Sequence, residues 1–205
     1  MRISKQEIFE FRFRWSNWRP PGELMAEVDG LRRQIGGEDF FNQAGLNFIR
    51  DAYGAAKFGR SRNARLVRLH NDERPDFEIQ FHDGKIETFE FTEAQIPGRR
   101  RGAEYDGNTR EPVMVPVETW PTKNQIFEIV RSAAKIKGEK AKALAARGTP
   151  YPQDVGLLIY LNIFEFWSEN ERKQIAEVFS DAIEPSKEEF STVWILWHDA
   201  LYCPA

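Results

Sequence analysis

The segment that most restricts the fold is RPDFEIQFHDGKIETFEFTEAQ, residues 74–95. Phe77, Ile79 and Phe81 alternate with Asp76, Glu78 and Gln80, and Phe89 and Phe91 alternate with Thr88, Glu90 and Thr92. A period of two is the mark of a half-buried strand, and His82-Asp83-Gly84 between the runs reads as a hairpin turn. Register decides which side chains share a face, because a slip of one residue turns the whole set over. A two-residue Asp-Gly turn would set Phe77 against Glu90 and split the phenylalanines between opposite faces. A three-residue loop with Gly84 in the left-handed conformation pairs Phe77 with Phe89 and gathers five large apolar side chains on one face. Burial of each stabilises by about 1.5–3 kcal/mol, which outweighs a turn preference, so the second register is predicted.

That register has a chemical consequence. Asp76 and Glu90 become cross-strand neighbours on the other face, with Thr92 two residues further on. Like charges directly opposite one another destabilise a sheet. A proton, a basic side chain or a divalent cation would offset them. A solvated polar face with a nearby Lys or Arg satisfies the pattern. So does a Mg²⁺ or Mn²⁺ site, since hard cations take oxygen ligands.

Around the hairpin the chain alternates helical and strand patterns. Residues 8–15, IFEFRFRW, alternate like a strand, while SKQE just before them is a capping-box pattern that suits a helix, and both assignments stay open. Leu24, Val28, Leu31 and Ile35 mark a helix that Gly36-Gly37 ends. A second helix is expected over about 38–57, followed by a short strand in ARLVRL. Residues 96–121 form a Pro- and Gly-punctuated connection, of a length that is usually functional or disordered. Ile126, Ile129, Val130 and Ala133 give the apolar stripe of a helix from Thr122 to about Arg147, in which Gly138 is a candidate break. VGLLIYLNIF suits a strand buried on both faces. A further helix, 168–183, is capped by Ser168 with Glu171, and STVWILW is the last strand. The expected fold is α/β: a single domain of residues 1–205 with a central mixed β-sheet flanked by helices. Its core spans about 38–165, with an N-terminal extension 1–37 and a C-terminal helix and strand in 166–205.

At the hairpin the sequence resembles the PD-(D/E)xK nuclease superfamily, the restriction-endonuclease-like fold. Pro75-Asp76 matches the PD element at the start of a strand, and Glu90-Phe91-Thr92 stands where the family has (D/E)-x-K on the next strand. The order of elements over residues 38–165 is similar as well. The resemblance implies that Asp76 and Glu90 are Mg²⁺ or Mn²⁺ ligands, with the metal polarising a phosphate and activating a water. Thr92 departs from the family's lysine. Some members supply that lysine from the following helix, where Lys123 and Lys135 are the candidates. Lys135 is preferred for its central position. Glu93 is read as a spare carboxylate and Gln95 as a contact to metal-bound water. Such nucleases are often homodimers, so a homodimer is an expected state.

Basic residues fall in three groups. Arg99, Arg100 and Arg101 follow the proposed site and suit phosphate contacts, or form a solvated loop. Lys57, Arg60, Arg62, Arg65 and Arg68 form the second group, and Lys135, Lys137, Lys140 and Lys142 the third. Three such stretches suit a nucleic-acid channel gripping the backbone, with DNA expected ahead of RNA. Residues 151–205 carry three Lys/Arg against ten Asp/Glu, a balance of −7, so the first 150 residues hold +4 of the net −3. His70, His82 and His198 lack the close spacing of a zinc pair, and neither a P-loop nor a G-x-S-x-G elbow is present. One cysteine, Cys203, makes no internal disulfide, no run approaches a membrane span, and the N-terminal residues do not read as a signal peptide. A cytoplasmic setting without membrane partners is therefore expected.

Three functional readings follow: a metal-dependent nuclease, a nuclease-like scaffold that binds nucleic acid or protein without cleaving, and an interaction protein whose acidic C-terminal part docks a basic partner.

Overall fold

The computed structural model describes residues 3–35, 45–71, 74–97, 121–163 and 168–204. The chain is α/β with a mixed sheet flanked by helices. The described residues fall into two compact units, one of 3–86 and one of 87–97 together with 121–204.

In the first unit, α1 (Lys5–Trp15) settles the open assignment of residues 8–15 as helix. Ser4 Oγ accepts from the Glu7 amide at 3.2 Å, and the Ser4 amide donates to Glu7 Oε2 at 2.8 Å, so two end-of-helix donors are satisfied reciprocally. The Ser4 hydroxyl, which donates to Glu7 Oε2 at 2.7 Å, and after it the Ser4 amide hold the Glu7 carboxyl below its ordinary 4.5. A folded-state value lowered in this way makes the cap complete above about pH 4.5 and loosens it as pH falls. The period-two alternation of aromatics leaves Phe9 and Phe13 69% and 62% exposed, while Trp15 is buried. Helix α2 (Pro21–Gln34) buries Leu24, Val28 and Leu31 as the spacing requires.

The next helix was expected over 38–57, of which 38–44 lie outside the described residues. Helix α3 (Asn47–Ser61) runs past the expected end, and its Gly59 fits against the Pro21 ring of α2. Strand β1 (Leu66–Leu69) pairs antiparallel with β2 (Phe77–Gln80), Val67 opposite Ile79. The inward Phe77 meets Phe58 of α3 edge-on, ring centroids 5.9 Å apart. Beyond β2 the Phe81 amide donates to the Lys85 carbonyl at 2.9 Å, and Gly84 has φ +87°. The loop therefore has three residues with its glycine left-handed.

In the second unit β3 (Ile86–Ala94, counted from Glu87), β4 (Val155–Leu161) and β5 (Val193–Trp197) are parallel. A short strand β6 (Ala200–Tyr202), half-exposed throughout, adds antiparallel to β5 beyond the strand expected to end the pattern. The helix expected over 168–183 is interrupted at Glu177–Val178. It comprises α5 (Glu169–Ala176) and α6 (Phe179–Ile183), followed by a 3₁₀ turn, Glu184–Ser186. Helix α4 (Lys123–Ala146) lays Ile126, Val130, Ala134 and Ala141 on a core with Leu157, Ile159, Ile195 and Trp197.

Gly138 does not break α4. A Cβ there would lie 2.3 Å from the backbone oxygen of Pro185, so the glycine lets the helix approach the 3₁₀ turn. In an exposed helix Gly→Ala gains about 0.5–1 kcal/mol. Here the sign should reverse: Gly138→Ala is expected to destabilise by about 1–3 kcal/mol through overpacking. Thermal melting checks it, and a raised melting temperature would refute this account of the contact. Among the described residues no helix is long and apolar enough to cross a membrane.

Candidate active site

Alternation along β3 puts Thr88, Glu90, Thr92 and Ala94 on one face and Phe89, Phe91 and Glu93 on the other. On the first face Glu90 pairs in register with Leu157 and Thr92 with Ile159, both part of the core under α4. On the second face the Phe89 ring lies over Gly156, where a Cβ would come within 2.5 Å of it. The phenylalanines on that second face thus hold the strand's facing, and Glu90 is carried to the opposite, helix side. Its residue is 0% exposed.

A carboxylate in that position needs a counter-charge. Lys137 of α4 provides one: its Nζ donates to Glu90 Oε2 at 2.7 Å, with the lysine side chain 13% exposed. Lys137 follows the buried Ala133 by four residues and precedes the buried Ala141 by four, so it occupies the core stripe of the helix. The small alanines leave room for its aliphatic stem. Helix position is fixed from both ends of this stretch. Thr122 and Gln125 form a capping box at the start, and Gly138 packs on Pro185 beside Lys137.

The two lysines expected to serve this site are engaged elsewhere. Lys135 pairs with Glu139 at 3.8 Å, both side chains well exposed. Lys123 pairs with Glu177 at 3.0 Å near the start of the helix. Two residues of helix amount to about 200° of rotation, so Lys135 and Lys137 leave the helix on nearly opposite sides. The lysine in contact with Glu90 is therefore Lys137, two positions beyond Lys135.

Thr92 is half-buried on the Glu90 face. Glu93, on the opposite face, accepts a hydrogen bond from Asn162 Nδ2, while the Asn162 amide donates to the Ala94 carbonyl at 2.8 Å. Gln95 lies exposed just past β3. In the first unit Asp76 is half-buried and precedes β2, its carbonyl accepting from the His70 amide at 3.0 Å. Arg99, Arg100 and Arg101 lie outside the described residues. His70 pairs with Glu78 at 3.3 Å, which also takes Arg68 at 2.7 Å, and His82 is exposed in the hairpin loop. Among the described residues no group of three or more His, Cys, Asp or Glu gathers as a metal cluster.

A buried carboxylate held against a lysine is an arrangement with two uses. It can fill a polar gap in the core, at a desolvation cost that the Coulomb attraction roughly offsets. It can also present an oxygen ligand and an ammonium side by side, a combination that metal-assisted hydrolysis can use. The sequence matches no family model, and the chain matches no curated protein and no solved structure.

Proposed function

We propose that the protein is a Mg²⁺- or Mn²⁺-dependent nuclease that hydrolyses phosphodiester bonds in nucleic acid, with DNA as the expected substrate. The observation that carries this reading is the ammonium of Lys137 2.7 Å from the fully buried Glu90 carboxylate. It supplies, from the helix, the lysine that Thr92 does not supply from the strand. Glu90 offers carboxylate oxygen, the donor that Mg²⁺ and Mn²⁺ prefer. Asp76 is proposed as the second ligand. Its support is the sequence, where Pro75-Asp76 stands at the position of the first acidic ligand in the superfamily it resembles.

A bound divalent cation would polarise the phosphate and lower the pKa of a water. The rest falls to side chains. Lys137 would keep positive charge beside Glu90 and orient the attacking water. Thr92 would accept or donate one hydrogen bond to that water without altering its charge. Burial of Glu90 would strengthen each of these interactions by excluding bulk solvent.

A second reading keeps the scaffold and drops the chemistry. It is favoured by the Lys137–Glu90 pair itself, in which the ammonium offsets the buried carboxylate without calling on a metal. Plasmid DNA and RNA incubated with the protein in Mg²⁺, in Mn²⁺ and in EDTA separate the two. Metal-dependent cleavage lost in both Asp76→Ala and Glu90→Ala is expected. Binding without cleavage under every condition would establish the second reading, and cleavage that survives both substitutions would remove Asp76 and Glu90 from the chemistry.

A further inference from the structure

Lys137 meets Glu90 from well inside α4, far from the capping box at Thr122. The buried residues nearest to it on the helix are Ala133, Ala134, Gly138 and Ala141. Such short side chains make shallow ridges, and shallow ridges grip a facing layer weakly against sliding or rolling. An ammonium 2.7 Å from its carboxylate tolerates little of either, because a hydrogen bond is lost when donor and acceptor separate by about 1 Å more. Something besides the alanine stripe must hold α4 in place here.

The 3₁₀ turn Glu184–Ser186 supplies a stop. A Cβ on Gly138 would lie 2.3 Å from the Pro185 carbonyl oxygen, 3.3 Å from its carbon and 3.4 Å from Ser186 Cα. The contact is thus backbone against backbone, with no flexible side chain on either side to give way. The turn is itself held firmly. Ser186 is 0% exposed, and its Oγ donates to the Ile183 carbonyl at 2.8 Å. The amides of Glu189 and Phe190 donate to the Ser186 carbonyl at 3.1 and 3.2 Å. Lys187 pairs with Glu184 at 3.1 Å. Four residues beyond Gly138, Lys142 ties the same flank of α4 to Glu188 at 3.4 Å and to Glu189 at 4.0 Å. Successive residues are turned by about 100° about a helix axis, so the flank of Gly138 and Lys142 lies across from the direction of Lys137. Contacts in two directions fix the rotation of a helix as well as its distance.

We infer that Gly138 is a positioning residue for Lys137: its close approach to Pro185 sets the placement of α4 at which the lysine ammonium meets the Glu90 carboxylate. Glycine inside a helix is costly relative to alanine, and alanine is what the chain carries at 133, 134 and 141. An alanine at 138 must open the gap to Pro185 by about 1 Å to reach an ordinary contact, which is the displacement the ion pair cannot absorb. The inference rests on the nuclease reading for what Lys137 does chemically. The placement of its ammonium depends on residues of the second unit alone.

The test is the exchange of the Lys137 ammonium protons with water, read by NMR on the full chain labelled with ¹⁵N in its lysines. The signal is identified by its absence from Lys137→Met. A lysine whose side chain is 13% exposed and bonded to a carboxylate is protected from exchange. In Gly138→Ala the exchange rate is expected to rise at least about tenfold, the equivalent of losing a charge-assisted hydrogen bond. Ser186→Ala removes the anchor of the turn without adding volume, and should raise the rate by roughly 2–10-fold. Gly30→Ala is the control: a Cβ there meets nothing within 4 Å, and the rate should match the wild type. An unchanged rate in folded Gly138→Ala, even with a lowered melting temperature, overturns the inference and leaves the glycine a packing role alone. If Gly138→Ala does not fold, an unchanged rate in Ser186→Ala overturns it. If exchange quickens while the wild type cleaves nothing in Mg²⁺ or Mn²⁺, the positioning role stands and the nuclease reading fails. If the wild type cleaves and exchange is unchanged, the reverse holds.

Discussion

Replacing Lys137 with methionine is expected to destabilise the protein by about 3–5 kcal/mol, the usual cost of removing one partner from a buried ion pair. Methionine keeps most of the stem's volume, so the loss isolates the charge from the packing. The expected effect is large because Glu90 is 0% exposed and cannot turn to water when the ammonium 2.7 Å away is removed. For a chain of this size each kcal/mol moves the melting temperature by about 2–4 °C, so a fall of roughly 6–20 °C should be read by calorimetry. Adding Glu90→Leu to Lys137→Met should restore most of the loss, because the buried charge leaves with its partner. Lys135→Met, in an exposed pair with Glu139, should stay within about 0.5 kcal/mol of wild type. A Lys137→Met protein that melts with the wild type would refute this account of the buried pair.

The position of Lys137 shows how far the sequence could be read. The stripe Ile126, Val130, Ala133 identifies the buried side of α4, and the next step of four falls on Lys137. A lysine in the core stripe of a helix is an anomaly that periodicity exposes. Preference for a central helix position led instead to Lys135, whose side chain is on the solvent side. Where two local patterns competed, the one that satisfied backbone groups prevailed: Ser4 and Glu7 cap α1 despite an alternation that suits a strand. In the hairpin loop, apolar burial and the conformational freedom of glycine agree, and there the predicted closure at Gly84 is found. Strand β6 has three half-exposed residues and no alternation to mark it. The interruption between α5 and α6 at Glu177–Val178 carries neither Gly nor Pro, so nothing local announced it. Glu90 was legible as a candidate from its strand alone. Its burial was not, because that depends on α4, reached through a connection of more than twenty residues.

In a cleavage assay, Lys137→Met is expected to lower the metal-dependent rate by roughly 10²–10³-fold, the range for removing a positioned charge or hydrogen-bond donor. Lys123→Met and Lys135→Met should cleave at close to the wild-type rate, since their ammonium groups serve Glu177 and Glu139. Because Lys137→Met is also expected to be less stable, the rate must be taken at a temperature where circular dichroism shows it folded. Lys137→Arg separates the two roles further. Arginine keeps the counter-charge for Glu90 but remains protonated throughout the working pH range, so it cannot exchange a proton with water. Restored stability with a lost rate would make Lys137 part of the chemistry. Restoration of both would leave it the task of holding Glu90 ionised and in place. Full activity in folded Lys137→Met, with activity still lost in Glu90→Ala, would limit the lysine to folding and return the question of the missing strand lysine to Thr92.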